Sequence, residues 1–224
     1  MDLLAEALNS KEWATLAISG GSSPKPMFEL FAASGFSWKR VHIFWVDERY
    51  VPPNDPQSNY RMANEAWLAP ARVPAENIHR VPTELEPHEA AHEYAENMKA
   101  LFGVRPGSMP RLDVIHRGMG PDAHTASLFP GEPLTTDRNQ SANIAAAVWV
   151  EKMHQWRITL LPAVLEAACH TLILATGEDK AEALHAVIDG PYEPIQFPAQ
   201  IAAKDATWFI DGAAGAMLSV EDVA

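Results

Sequence analysis

Cysteine is nearly missing from this sequence: Cys169 stands alone among 224 residues. A single cysteine excludes an internal disulfide, and its place beside Ala167 and Ala168 predicts a small buried residue on a helix. A reducing cytoplasm suits such a chain. Apolar runs long enough to cross a bilayer are also lacking. The opening residues, Met1-Asp2-Leu3-Leu4-Ala5-Glu6, have neither a basic start nor a long apolar core, so they do not read as a secretory signal. Basic residues are scarce, 17 Lys and Arg against 29 Asp and Glu, which gives a formal net charge of −12. That balance opposes general attraction to nucleic acid or to an anionic membrane. An anionic ligand would have to be held locally, by a few convergent cations. No repeat, low-complexity linker or Gly-x-Ser-x-Gly nucleophile elbow occurs. The nine histidines include the pairs His88/His92 and His116/His124. Neither pair has a clear set of metal ligands around it, so no metal is expected. His88 and His92 fall on an acidic stretch that reads as the solvated face of a helix.

What is present is a globular core. Hydrophobic residues make up 47% of the chain, enough for one substantial α/β unit over residues 1–224. Apolar runs alternate with amphipathic ones. Strands are expected at Thr15 to Ser19, Val41 to Val46, Leu112 to Ile115, Ile144 to Val150, Arg157 to Leu160, Thr171 to Thr176 and Thr207 to Ile210. Helices are expected at Pro26 to Ala33, Asn59 to Leu68, Pro87 to Phe102, Pro162 to Ala168 and Lys180 to Ile188, with a last one including Ala213 to Leu218. In the second, Tyr60, Ala63 and Trp67 recur at helical spacing. The alternation predicts a mostly parallel, doubly wound, Rossmann-like sheet with helices on both faces. Pro191 to Pro198 reads as a long loop. Nothing chooses between a monomer and a small homo-oligomer.

Several segments carry possible chemistry. Gly118-Met119-Gly120-Pro121-Asp122-Ala123-His124 follows an apolar strand, and its histidine can exchange a proton near neutral pH. At the C-terminal end of such a strand, open α/β sheets bind their ligands. Asp122 either supports His124 or simply caps a short helix carrying Ala126 and Leu128. The spacing Gly118-x-Gly120-x-x-Ala123, with Asp137 beyond, formally matches a dinucleotide fingerprint. Pro130 breaks the helix that this motif needs, so it is set aside. Ser19-Gly20-Gly21-Ser22-Ser23-Pro24 sits between a strand and a helix. Its glycines let backbone N–H groups approach an anion at the helix N-terminus, unless it is an ordinary turn. Asp47-Glu48-Arg49 ends the second strand, and Ser58-Asn59 follows. Arg49 could clamp a phosphate, with Asp47 or Glu48 holding Arg49 or a sugar hydroxyl; the alternative is a solvated charge cluster. Arg157 precedes Ile158-Thr159-Leu160. Lys180 opens a helix, where the dipole disfavours a cation unless an anion shares the place. A surface ion pair for Arg157 and a solvated loop position for Lys180 are the alternatives.

Taken together, in this order, these segments resemble the 6-phosphogluconolactonase family over nearly the whole chain. The matching pieces are Leu16 to Pro24, Asp47-Glu48-Arg49 through Ser58-Asn59-Tyr60, Gly118 to Gly131, Arg157-Ile158-Thr159 through Gly177-Glu178-Asp179-Lys180, and Trp208-Phe209-Ile210-Asp211. The resemblance implies hydrolysis of 6-phospho-D-glucono-1,5-lactone to 6-phosphogluconate, the second step of the oxidative pentose phosphate pathway, with no cofactor. It implies His124 as general base, supported by Asp122. Arg49, Arg157, Lys180 and the Gly20-Gly21 turn would hold the phosphate, with Ser22, Asp47, Ser58 and Asn59 as further substrate-side candidates. Three departures stand out. The family usually has glycine where Ala123 stands and an apolar residue where Arg117 stands, so Arg117 is expected either in the site or in solvent. The segment before the first strand is short relative to the family. Two rivals remain. Glucosamine-6-phosphate deaminases are similar, but carry a glutamate after the histidine that Leu128-Phe129-Pro130-Gly131 lacks. A non-catalytic sugar-phosphate sensor ranks behind both enzymes.

Overall fold

The computed structural model of the chain describes residues 1–21, 23–105, 107–136 and 143–219. Its centre is a five-stranded, all-parallel sheet. In chain order the strands are β1 (Ala14–Ile18), β2 (Val41–Trp45), β4 (Val114–Gly118), β7 (His170–Ala175) and β8 (Thr207–Ile210), and across the sheet they run β2-β1-β4-β7-β8. β1 is buried along its whole length, as a strand covered on both faces should be. Its side chains alternate between two cores. Leu16 and Ile18 face one with Phe28, Trp45 and Trp67, whereas Ala17 faces the other with Phe44, Ile115 and Tyr94.

The first core is closed by α1 (Asp2–Ser10), α2 (Lys25–Ala33) and α3 (Asn59–Ala63), which continues as one π-helical turn over Asn64–Leu68. The second is closed by α4 (Pro87–Phe102) and α5 (Pro162–Ala167), and α6 (Ala181–Ile188) packs on Ala175 and Met119. Pro87 and Gly103 fix the ends of α4: Pro87 stands in the first turn, and Gly103 takes the left-handed conformation past the last one.

The α/β class is as expected, with differences in detail. Ile144 to Val150 and Arg157 to Leu160 do not join the parallel sheet. As β5 (Ala145–Val150) and β6 (Gln155–Leu160) they form an antiparallel hairpin. β6 then pairs antiparallel with β3 (Asp47–Arg49), giving a second sheet in the order β3-β6-β5. β3 escapes a reading by hydrophobic pattern because all three residues are charged. α1 was not anticipated either. β4 starts two residues later than its apolar run and extends to Gly118. The segment at Ala213 to Leu218 is a 3₁₀ turn, Ala214–Met217, rather than a full helix. Cys169 is half-buried in the bend between α5 and β7, not on a helix. Residues 191–197 form the long loop expected there.

Strand order places the site. From β1 the chain moves outward to β2, then returns across β1 to β4. The connections therefore leave β1 and β4 in opposite directions and open a crevice beyond their carboxyl ends.

Candidate functional site

A cavity of about 290 Å³ lies in that crevice. Gly20 and Gly21 enter it from the end of β1, and Gly118, Met119, Gly120 and His124 from the end of β4. Asp47 and Arg49 come from β3, Arg157 from β6, Asn59 from the start of α3, and Lys180 from the turn before α6. Ser22 is outside the described residues, as is Asp137.

Two glycines are required by close approach. A Cβ on Gly20 would lie 1.9 Å from Asn59 Oδ1, and one on Gly120 would lie 2.0 Å from His124 Nδ1. Gly20 thus lets α3 reach the β1 turn, and Gly120 gives the imidazole its place. The ring also packs against Phe129, with centroids 4.4 Å apart.

His124 Nδ1 bonds Asp122 Oδ1 at 2.5 Å, and the other oxygen of Asp122 is paired with Lys152. Burial works against the charge on Asp122, but the bonds from His124 and Lys152 outweigh it and hold the carboxyl well below the usual carboxylate range. An ionised Asp122 accepts from Nδ1–H, which leaves the Nε2 lone pair available for a proton. Asp122 is not a helix cap, because turns and an isolated Thr125–Leu128 bridge follow it. The loop is tightly wound: Ala123 N–H donates to Gly120 O, and Gly120 N–H to His124 O. Ala123 and Ala126 sit at φ 61° and 51°, the left-handed region that costs an L-residue about 1–2 kcal/mol.

The cations converge from two sides. Arg49 and Arg157 are register partners across β3 and β6. Like charges directly opposite on a sheet repel. Burial lowers the Arg157 pKa, with Arg49 adding to the effect and Asp47 and Glu48 opposing it. Arg49 donates to Gln57 O at 2.8 Å, and Arg157 donates to Met153 Sδ at 3.0 Å. The buried Nε of each has no partner among the described residues. Lys180 pairs with Asp179 at the cavity edge. Two guanidinium groups brought side by side at the cavity, with Lys180 at its edge, are a donor set that can bind an anion.

Asp47 accepts from Ser127 Oγ at 2.7 Å and lines the cavity. Asn59 donates to Asp47 O, and its buried Oδ1 has no partner among the described residues. Ser58 does not line the cavity. It caps α3, accepting from Arg61 N–H at 3.1 Å. Glu48 holds neither Arg49's side chain nor the cavity. Its carboxylate accepts from the N–H groups of Arg49, Asn59 and Tyr60, each at 2.8 Å, and so locks β3 to α3. Burial pushes its pKa up to about 7, against the pull of those three N–H groups.

Arg117 is neither in the site nor in solvent. It is fully buried, beneath the His124 loop. Residues the sequence did not single out include Lys152, distant in sequence on the β5–β6 connection, and Ser127. His116, considered only as a metal ligand, is buried at the cavity floor with both ring nitrogens unpartnered among the described residues, and burial pushes its pKa down to about 4. No cluster of three or more metal-ligating side chains occurs among the described residues.

Comparison with known proteins gives one consistent picture. A family model described as glucosamine-6-phosphate isomerases/6-phosphogluconolactonase matches residues 1–210. The chain is 39% identical over 220 residues to a 6-phosphogluconolactonase of Nostoc sp., covering 97% of this chain and 90% of the relative. It is 37% identical over 210 residues to the 6-phosphogluconolactonase of Haemophilus influenzae, covering 91% and 87%. Among solved structures, the 6-phosphogluconolactonase of Thermotoga maritima superposes with a TM-score of 0.81 at 28% identity, covering 93% of this chain and 90% of that one.

Proposed function

The chain belongs to the glucosamine-6-phosphate isomerase/6-phosphogluconolactonase family, and from that premise we propose that it hydrolyses 6-phospho-D-glucono-1,5-lactone to 6-phosphogluconate in the oxidative pentose phosphate pathway. The observation that carries the reading is the shared cavity. One end holds a histidine fixed by an ionised carboxylate, and the other holds arginines whose Nε donors have no partner among the described residues. The cations would take the phosphate, and binding energy spent there would fix the lactone carbonyl against an attacking water.

In this reading His124 Nε2 takes a proton from water as the oxygen adds to C1. Asp122 stabilises the imidazolium that forms, and Lys152 keeps Asp122 ionised. The imidazolium then returns the proton to the ring oxygen as the C1–O bond breaks. A strained cyclic ester needs one base and an oriented water. A deaminase needs a base over C2 and a group that opens the ring, and no carboxylate follows His124 in Thr125 to Gly131 to supply the second. Cytoplasmic residence is part of the same proposal, in keeping with the unpaired Cys169.

The test is hydrolysis of freshly generated 6-phosphogluconolactone, corrected for spontaneous opening, beside ammonia release from glucosamine 6-phosphate. Hydrolysis without ammonia is expected. Ammonia at a comparable rate would overturn the assignment. Binding of sugar phosphate with neither activity would favour a sensor.

A further inference from the structure

We propose that Arg117 is a positioning residue for His124: it holds the strained loop that carries the histidine in its working shape, and this chain needs that tether because Ala123 stands where the backbone is left-handed. The proposal takes lactone hydrolysis as the reaction that His124 serves.

Arg117 is the fourth residue of β4, and it is fully buried. An arginine there replaces hydration with whatever the protein offers, and the offer is unusual. Nη1 donates to Thr125 Oγ1 at 3.0 Å, and Nη2 donates to the carbonyl of Ile201. No carboxylate pairs with it among the described residues, and burial alone pulls its pKa down to about 9. Packing has no need of this charge: a buried ion is commonly replaced by an apolar side chain of similar volume without loss of stability. Its bonds go instead to the loop and to the segment at Ile201. Thr125 directly follows His124, and its hydroxyl, while accepting from Arg117, donates to Gly118 O at 3.0 Å. One guanidinium thus joins the end of β4, the residue after the histidine, and the segment at Ile201.

The same loop stores strain on both sides of that tether. Ala123 and Ala126, at φ 61° and 51°, flank His124 and Thr125. A non-glycine residue relaxes from this region by rotating its flanking peptides. Rotation at Ala123 would break the Ala123–Gly120 and Gly120–His124 backbone bonds and carry the imidazole away from Asp122. Two bonds resist it from the Ile201 side, Ala199 N–H to Ala123 O at 2.8 Å and Arg117 to Ile201 O. Glycine at 123 would remove the strain and, with it, most of the need for Arg117. The two residues are therefore predicted to be energetically coupled, although nothing places their side chains in contact.

The experiment is a double-mutant cycle of R117M and A123G in the full chain, read by steady-state lactonase kinetics and by amide hydrogen exchange. With Ala123 present, R117M is expected to lower kcat by about five-fold or more while KM changes less than about two-fold, and in the A123G background the kcat loss should shrink below about two-fold. Exchange of the Gly120, Ala123 and Leu128 amides should quicken in R117M and return towards the parent rate in the double variant. Thermal midpoints should move little, which separates positioning from general destabilisation. If R117M does not fold, T125V removes the acceptor of the same bond and is expected to show the same dependence on A123G. Equal losses in both backgrounds, or no change in loop exchange, would overturn the proposal. The exchange arm does not depend on activity, so an unmodified chain without lactonase activity would indict the function and leave this inference to be decided on exchange.

Discussion

The two sides of the cavity treat charge in opposite ways. On the His124 side the charges that meet the ring are paired: Asp122 lies between His124 and Lys152, and the ring packs beside Gly120 and Phe129. On the arginine side Arg49 and Arg157 stand opposite each other in register, and their Nε groups have no partner among the described residues. A group that must transfer a proton in one geometry gains from being fixed beforehand, whereas a group that must grip a ligand gains from donors still unspent. On the proposed function, the first half prepares the chemistry and the second takes the phosphate of the substrate.

Removing the prepared half should have the largest effect. His124→Ala is expected to lower kcat by on the order of 100-fold or more while affinity for 6-phosphogluconate is kept. Steady-state kinetics with a product-binding titration reads both. Near-normal turnover in a folded variant would show that the base lies elsewhere.

Breaking the second half should show in binding. Arg157→Ala is expected to weaken substrate binding by roughly 1.5–3 kcal/mol, the worth of a charge-assisted hydrogen bond, with a smaller change in kcat. It should also narrow the preference for phosphorylated over unphosphorylated gluconolactone. Relief of the Arg49–Arg157 repulsion should keep the thermal midpoint at or above that of the parent. Equal loss on both lactones would mean that Arg157 does not read the phosphate.

How much of this was legible in the sequence depended on the range of the interaction. Strand ends with glycine turns are local, so the segments bearing Gly20, Gly120 and His124 could be placed from the chain alone. So could α4, whose proline, helical period and glycine agree. What failed was set by partners far away. Nothing near Asp47 says that Arg157 lies across a ladder from Arg49, which is why Asp47-Glu48-Arg49 reads as the end of the second strand and the antiparallel place of β6 is not legible. Ser58 and Glu48 have the composition of ligand contacts, but their bonds close the start of α3 instead. Lys152 reaches Asp122 from the β5–β6 connection, with no spacing to announce it. Arg117 defeated both of its expected locations because a buried arginine without a carboxylate is disfavoured on general grounds, and only the loop above it gives the reason.

The smallest expected effect concerns the cavity floor, where a polar group is neither prepared with a partner nor open to substrate. Burial pushes His116 down to about 4, and burial together with neighbouring His42 pushes His79 down to about 4 as well. Each native imidazole binds fewer protons than its unfolded counterpart near 6.5, so its contribution to stability is present above that value and is lost as pH falls from about 6.5 towards 4. Glu48 runs the other way: raised to about 7, it contributes stability below its unfolded value and loses it as pH rises through 7. Burial lowers His42 in the same direction, so acidification from pH 7 sets three histidines against one glutamate, and net destabilisation is expected. His116→Leu removes one histidine without touching Glu48 or His79. Between pH 7 and 5.5 the variant should lose about 1 kcal/mol less stability than the parent. Chemical denaturation at the two pH values reads the difference. Parallel losses would mean that water reaches the His116 ring in the native state, and the floor of the cavity would then belong with its open side.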